Sequence, residues 1–173
     1  MISKIPLPLP FFQNGVAQVA IVVPDLEQAV EAYYKTFGVG PWHFYTYGKP
    51  LLKQMAYRGQ PVEHVFRIAL AFLGALRIEL MEVKEGDTVL ADFIAEHGYG
   101  VQHLGLLVED MQIALEQARV AGFTVLQEGS GFGLGSDGHY AYLDTEAQFG
   151  VTFELVQRPK ERVPPEKIYP PEG

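Results

Sequence analysis

Cysteine is absent from the 173 residues. That excludes disulfides, thiolate metal sites and a cysteine nucleophile at once, so any metal must be held by nitrogen and oxygen. Positive charge is also scarce: 13 Lys and Arg stand against 21 Asp and Glu, a formal net charge of -8. This balance argues against a nucleic-acid partner. A small anionic substrate stays open, because a bound cation can supply positive charge locally. No apolar run approaches the roughly 20 residues of a membrane span, so no membrane partner is expected. No secretory core is legible near the start, where Pro6, Pro8 and Pro10 interrupt the apolar residues, and cytoplasmic residence is the default expectation.

What is present is ordinary for a soluble globular chain: 48% hydrophobic and 20% charged residues. The length suits one compact domain or two small fused modules. A proline-rich stretch reads as an extended arm over residues 1–14. Val16 to Val23 has the valine content of a buried strand, ended by Pro24, and Asp25 is placed to cap a helix that Gly38 stops. Trp42 to Tyr47 predicts a strand, Gly48 to His64 a loop-like insertion, and Val65 to Leu73 with Leu76 to Val83 a strand pair. A short helix follows from Thr88 to His97, with Asp87 as its expected cap. Strands are then expected at 101–108, 124–128, 139–143 and 151–156, a helix from Met111 to Gly122, and a glycine-rich hairpin from Gly129 to Gly138. Residues 158–173 read as an extended proline-rich tail.

The pattern repeats. VAQVAIVVPDLEQA from Val16 aligns without gaps on VQHLGLLVEDMQIA from Val101, which sets Gln18 on His103 and Asp25 on Asp110. LRIEL from Leu76 aligns on VTFEL from Val151, which sets Glu79 on Glu154. Each unit reads as strand, helix and three strands: a first module over 15–85, then a linking helix and second module over 86–157. One such half-sheet would leave an apolar face exposed, and two can curl around each other to bury it. The expected fold is therefore α+β, with two βαβββ modules forming a cup-shaped mixed sheet.

The equivalences single out Gln18, Glu79, His103 and Glu154, each within an apolar strand. Taken singly, each fits a solvated strand face. Taken together, two buried carboxylates in symmetric positions need a compensating cation. One imidazole, two carboxylates and one amide oxygen suit one divalent ion among Zn, Ni, Co, Mn and Fe.

VAIVVPDLEQAVEAYYKTFGV and VQHLGLLVEDMQIALEQARVAGF resemble the openings of the two modules of the vicinal oxygen chelate superfamily. That superfamily includes glyoxalase I, methylmalonyl-CoA epimerase, extradiol dioxygenases and bleomycin-resistance proteins. The resemblance covers about Gly15 to Gln157 and implies a cup around one metal, held by Gln18, Glu79, His103 and Glu154. The Gln, Glu, His, Glu set is that of human-type glyoxalase I, whereas the shorter chain is closer to the epimerases. The resemblance implies a metal-dependent isomerase, epimerase or lyase that removes a proton next to a carbonyl. Glu154 and Glu79 would be the catalytic carboxylates, the substrate a small carbonyl compound or acyl thioester, and the assembly a homodimer. The alternatives are a non-enzymatic small-molecule binding protein and a ring-cleaving dioxygenase of the same fold. A dioxygenase would want histidine where this chain has Glu79.

Overall fold

The computed structural model describes residues 8–171. Residues 1–7, half of the expected N-terminal arm, lie outside them; Pro10–Phe12 form a single 3-10 turn that buries Phe11. Strand β1 (Gln18–Val22) stops before Pro24, and α1 (Leu26–Phe37) starts where the Asp25 carboxylate accepts from the Gln28 amide at 2.9 Å. Gly38 ends that helix in the left-handed conformation at φ 67°. Then come β2 (Trp42–Tyr47), the short β3 (Gln54–Tyr57) and β4 (Gln60–Pro61), β5 (Val65–Leu73), β6 (Leu76–Glu85) and α2 (Val89–His97). The second half holds β7 (Gly100–Leu107), α3 (Met111–Val120), β8 (Val125–Phe132), β9 (Gly138–Leu143), the one-turn α4 (Glu146–Phe149), β10 (Thr152–Gln157) and β11 (Lys167–Tyr169). Asp110 caps α3 by accepting from Ile113 at 3.0 Å, as its repeat partner Asp25 does for α1.

All the strands join one curled mixed sheet, in the order β11-β2-β5-β6-β1-β7-β10-β9-β8-β3-β4. The halves meet edge to edge through antiparallel β1 and β7. Each of these central strands is parallel to the last main strand of its own repeat, β1 to β6 and β7 to β10. Helix α1 covers the back of the first half through Leu26 and Val30 against Trp42, Phe44 and Leu80. Helix α3 does the same in the second half through Met111, Ala114 and Ala118 against Leu106 and Leu155. The third core fills the cup itself, where Tyr47 on β2 meets Phe132 on β8 at a ring separation of 5.3 Å. No helix among the described residues is long and apolar enough to cross a membrane.

Four local expectations change. The 48–64 insertion is a hairpin rather than a loop. Its β3 pairs with β8 of the other half, from Gln54 opposite Ser130 to Tyr57 opposite Gln127. Its turn is Arg58-Gly59, both at positive φ, and the partner strand lies so far along the chain that local pattern could not reveal it. The glycine-rich segment forms the expected hairpin between β8 and β9, but the strand expected to end at 128 continues to Phe132. Gly129 is required there, because a Cβ would lie 2.5 Å from the Tyr140 ring. The tail, expected only to be extended, also joins the sheet, since β11 pairs antiparallel with β2. Helix α2 is capped by Thr88, whose hydroxyl accepts from Ala91 at 2.9 Å, and not by exposed Asp87. Burial of Val89 and Leu90 in the cup fixes where the helix begins, which leaves Asp87 one residue too early.

Loss of that cap has a defined expected effect. Thr88→Ala should lower unfolding stability by about 1 kcal/mol, and Asp87→Ala by less than about 0.5. Urea unfolding of the two variants checks this, and an equal loss in both would reassign the cap.

Candidate metal centre

Two adjacent rungs of the sheet set the floor of the cup. One rung runs Glu79, Ala20, His103, Thr152 across β6, β1, β7 and β10. The next runs Arg77, Gln18, Gly105, Glu154 across the same strands. Exchange of the repeats turns one rung into the other: Glu79 onto Glu154, His103 onto Gln18, and Ala20 onto Gly105. Arg77 then falls on Thr152. Side chains opposite one another in a sheet share a face, so the polar groups converge around the two small residues.

Gly105 supplies the necessary room. A Cβ there would lie 2.8 Å from the Gln18 Cβ and 3.4 Å from Glu154 Oε2. Gln18, Glu79, His103 and Glu154 are all nearly inaccessible to solvent. His103 Nε2 lies 3.0 Å from Glu154 Oε2 and 3.5 Å from Glu79 Oε2. One ligand atom from each of Glu79, His103 and Glu154 falls within 4.8 Å of the others. Ligands about 2.0–2.2 Å from a common ion would stand at comparable separations. The donor set and its spacing therefore fit a divalent cation.

Gln18 is turned differently. Its Nε2 donates to Glu79 Oε2 at 2.6 Å and to Glu154 Oε2 at 3.1 Å, while its Oε1 accepts from Arg77 Nε at 2.6 Å. A ligating Gln18 must present Oε1 instead, so the amide has to turn over and give up Arg77. The sequence-predicted four thus share one site, but three of them offer ligand atoms in this arrangement.

Two further residues were not singled out by the repeat. The pairing of β1 and β7 shifts register after Ala20, which leaves Gln102 as an extra residue on β7. Successive strand residues normally face opposite ways, yet here Gln102 and His103 are both buried and His103 Nδ1 meets Gln102 Oε1 at 2.7 Å. In neutral His103 that contact holds the proton on Nδ1 and leaves Nε2 free to ligate. Arg77 is the second. It is buried at 5% exposure, and it is visible in the sequence only as the break in symmetry with Thr152.

Electrostatics follow from the burial. Desolvation alone would lower the His103 pKa, but the charge and hydrogen bond of Glu154, then those of Glu79, outweigh it and raise it to about 9. Burial raises the Glu154 carboxyl, His103 opposes that shift, and Glu79 adds to it by like charge. Burial also pushes the phenols of Tyr140 and Tyr142 upward, so both stay neutral in the cup wall. Beside Gln18, Glu79 and Glu154 the aromatic wall leaves a space of only about 20 Å3.

The comparisons with known proteins agree with this architecture. The family model described as the glyoxalase/bleomycin resistance protein/dioxygenase superfamily matches residues 17–142, a span that holds Gln18, Glu79 and His103. No curated protein matches the sequence. Among solved structures, methylmalonyl-CoA epimerase from Mycobacterium tuberculosis is similar at 25% identity and a TM-score of 0.59, with 84% of this chain and 89% of that one covered. A Streptomyces coelicolor methylmalonyl-CoA epimerase variant in complex with 2-nitronate-propionyl-CoA is similar at 22% identity and a TM-score of 0.60, covering 86% and 97%. A hypothetical protein from Bacillus halodurans matches at 19% identity and a TM-score of 0.59, covering 86% and 96%.

Two outcomes follow for metal uptake. Protonated His103 cannot ligate, so binding must displace its proton, and apparent affinity should rise about tenfold per pH unit until pH reaches about 9. Competition against a chromophoric chelator between pH 6.5 and 9 measures this, and a flat profile would mean that His103 is not a ligand. Gly105→Ala should force Gln18 and Glu154 apart and weaken metal binding by about 10- to 100-fold, the effect typical of disturbed ligand support. Undiminished affinity in that variant would show that the crowding around Gly105 does not shape the centre.

Proposed function

Because the chain belongs to the glyoxalase/bleomycin resistance protein/dioxygenase superfamily, we propose that it is a metal-dependent isomerase, epimerase or lyase that moves a proton next to a carbonyl group. Glu79, His103 and Glu154 would hold one divalent ion, with Gln18 as a fourth ligand once its amide turns. The ion would supply Lewis-acid polarisation of a carbonyl oxygen.

The observation that carries this reading is the placement of two symmetry-related carboxylates on opposite sides of one imidazole, with His103 Nε2 3.0 Å from Glu154 and 3.5 Å from Glu79. Glu154, whose carboxyl is raised by burial, is suited to take a proton from carbon and hand it back. Glu79 faces the same small space from the other half of the sheet and could serve the opposite face of that carbon. Two carboxylates on two faces suit epimerisation or isomerisation. Tyr47, Phe66, Tyr140 and Tyr142 wall this space and would shield a carbanionic centre from water. An acyl thioester is the first substrate candidate, supported by the two epimerase neighbours, and a glutathione hemithioacetal is the second. The single histidine disfavours a ring-cleaving dioxygenase.

Elemental analysis comes first. About one equivalent of a transition metal is expected in the purified protein, and none in a Glu79→Ala, His103→Ala double variant. Proton exchange is then followed by NMR in deuterated water, with methylmalonyl-CoA and with the hemithioacetal as substrates. Glu154→Gln should keep the fold and lose at least about 100-fold in exchange rate, the usual scale for a general base. Full exchange in that variant would remove Glu154 from the role of base.

A further inference from the structure

A second cavity, of about 240 Å3, opens beside the metal centre against Arg77, Arg158, Arg162, His43, Tyr45 and Phe72. It has the volume of about eight waters. The sequence has six arginines. Arg58, Arg67 and Arg119 are ion-paired with carboxylates. The other three line this one cavity, and among the described residues none of them has a carboxylate within 4.0 Å.

Three guanidinium groups around one space repel each other, and partial burial together with Arg77 and Arg162 pulls the Arg158 pKa down to about 10. In a chain of net charge -8 acidic partners were available in excess, yet among the described residues none pairs directly with these three, and the nearest charges acting on Arg77 are those of Glu79 and Glu154. Nor does the fold demand Arg77, since Thr152 fills the equivalent position in the other half. Arg77 is nonetheless buried and held in place by the Gln18 amide through Nε, and its two terminal nitrogens donate to no protein group among the described residues. Arg77 and Arg162 also border the small space beside Glu79 and Glu154, so the two cavities share a wall.

We infer that the cavity is an oxyanion subsite, built to take a carboxylate or phosphate group of a small molecule whose other end lies beside Glu79 and Glu154. The placement of that other end rests on the function proposed above; the anion site does not. Planar guanidinium groups grip either oxyanion through paired N–H donors, while Tyr45 and Phe72 offer an apolar side to the carbon skeleton. The space beside the carboxylates is only about 20 Å3, so a ligand held there by its anionic end reaches Glu79 and Glu154 with its other end once the shared wall of Arg77 and Arg162 parts. The subsite thereby selects anionic substrates over neutral carbonyl compounds of the same size.

The test uses the full chain, stripped of metal with chelator and dialysed. Inorganic phosphate and malonate are titrated by calorimetry at low ionic strength, against wild type and an Arg158→Gln, Arg162→Gln double variant. Neither residue is among the candidate metal ligands. The expected result is binding of at least one anion to wild type, weakened tenfold or more in the variant, with metal uptake retained. Tighter phosphate would point to a phosphate ester and tighter malonate to a carboxylic acid. A second readout is the melting temperature in anion-free buffer. The variant loses the Arg162 contacts to Tyr47 and Tyr45 and should melt no higher there; added phosphate should raise the melting temperature of wild type and not of the variant, and an equal rise in both would overturn the inference. Equal anion binding by both proteins, or none by either, would overturn it too. Absence of metal in native protein with anion binding intact would sink the proposed reaction and leave the subsite standing.

Discussion

The structure depends on how two carboxylates are kept on the floor of an apolar cup. Glu79 and Glu154 are almost fully removed from water and point at one another's neighbourhood from opposite halves of the sheet. Without compensation that arrangement would be strongly unfavourable. Three groups supply it: His103 between the carboxylates, the Gln18 amide donating to both, and Arg77 behind Gln18. The same donors that stabilise the carboxylates occupy the positions a cation would contest. The centre is therefore neutralised internally in this arrangement, and a cation would have to displace those donors.

Approximate symmetry places these groups, and departures from symmetry give them distinct roles. Equivalent glutamates stand on β6 and β10, and small residues on β1 and β7 let the ligands approach. An imidazole in one half is matched by an amide in the other, so one side of the centre titrates and the other does not. Arg77 opposite Thr152 makes one end of the floor cationic. The superfamily fold supplies the cup, and these unequal pairs give this chain its own polarity.

Much of this was legible in the residues themselves. The gapless match of Val16–Ala29 on Val101–Ala114 and of LRIEL on VTFEL located the strands, the two capped helices and all four polar residues. The repeat succeeded because burial constrains both copies alike. Features that depend on contacts between distant segments were not legible. The β3–β8 pairing joins residues from different halves, and β11 finds its partner at β2, more than a hundred residues earlier. Gln102 was hidden because a register shift reverses the alternation from which its orientation would be read. Arg77 looked like one more charged strand residue until its burial and its neighbours were known. The orientation of the Gln18 amide is likewise set by Arg77, a contact that spacing does not encode.

Two segments cross the gap between the β2 and β8 sides of the sheet, and they run in opposite directions. Residues 48–53 carry the first half over to β8, with Leu52 buried on the way. Residues 158–166 carry the second half back to β2, through the Leu134 amide donating to the Glu161 carbonyl and through Glu166 accepting from Thr46. Each half thus finishes its sheet on the other. A chain built from a duplicated unit would ordinarily be divisible into two copies that could be expressed, shuffled or dimerised apart. Here the reciprocal crossing ties the copies into one cooperative unit, because neither half carries its own closing segment. Contacts between segments so distant along the chain also make slow folding the natural expectation. Whatever ancestor the repeat descends from, this chain can no longer be cut back to it.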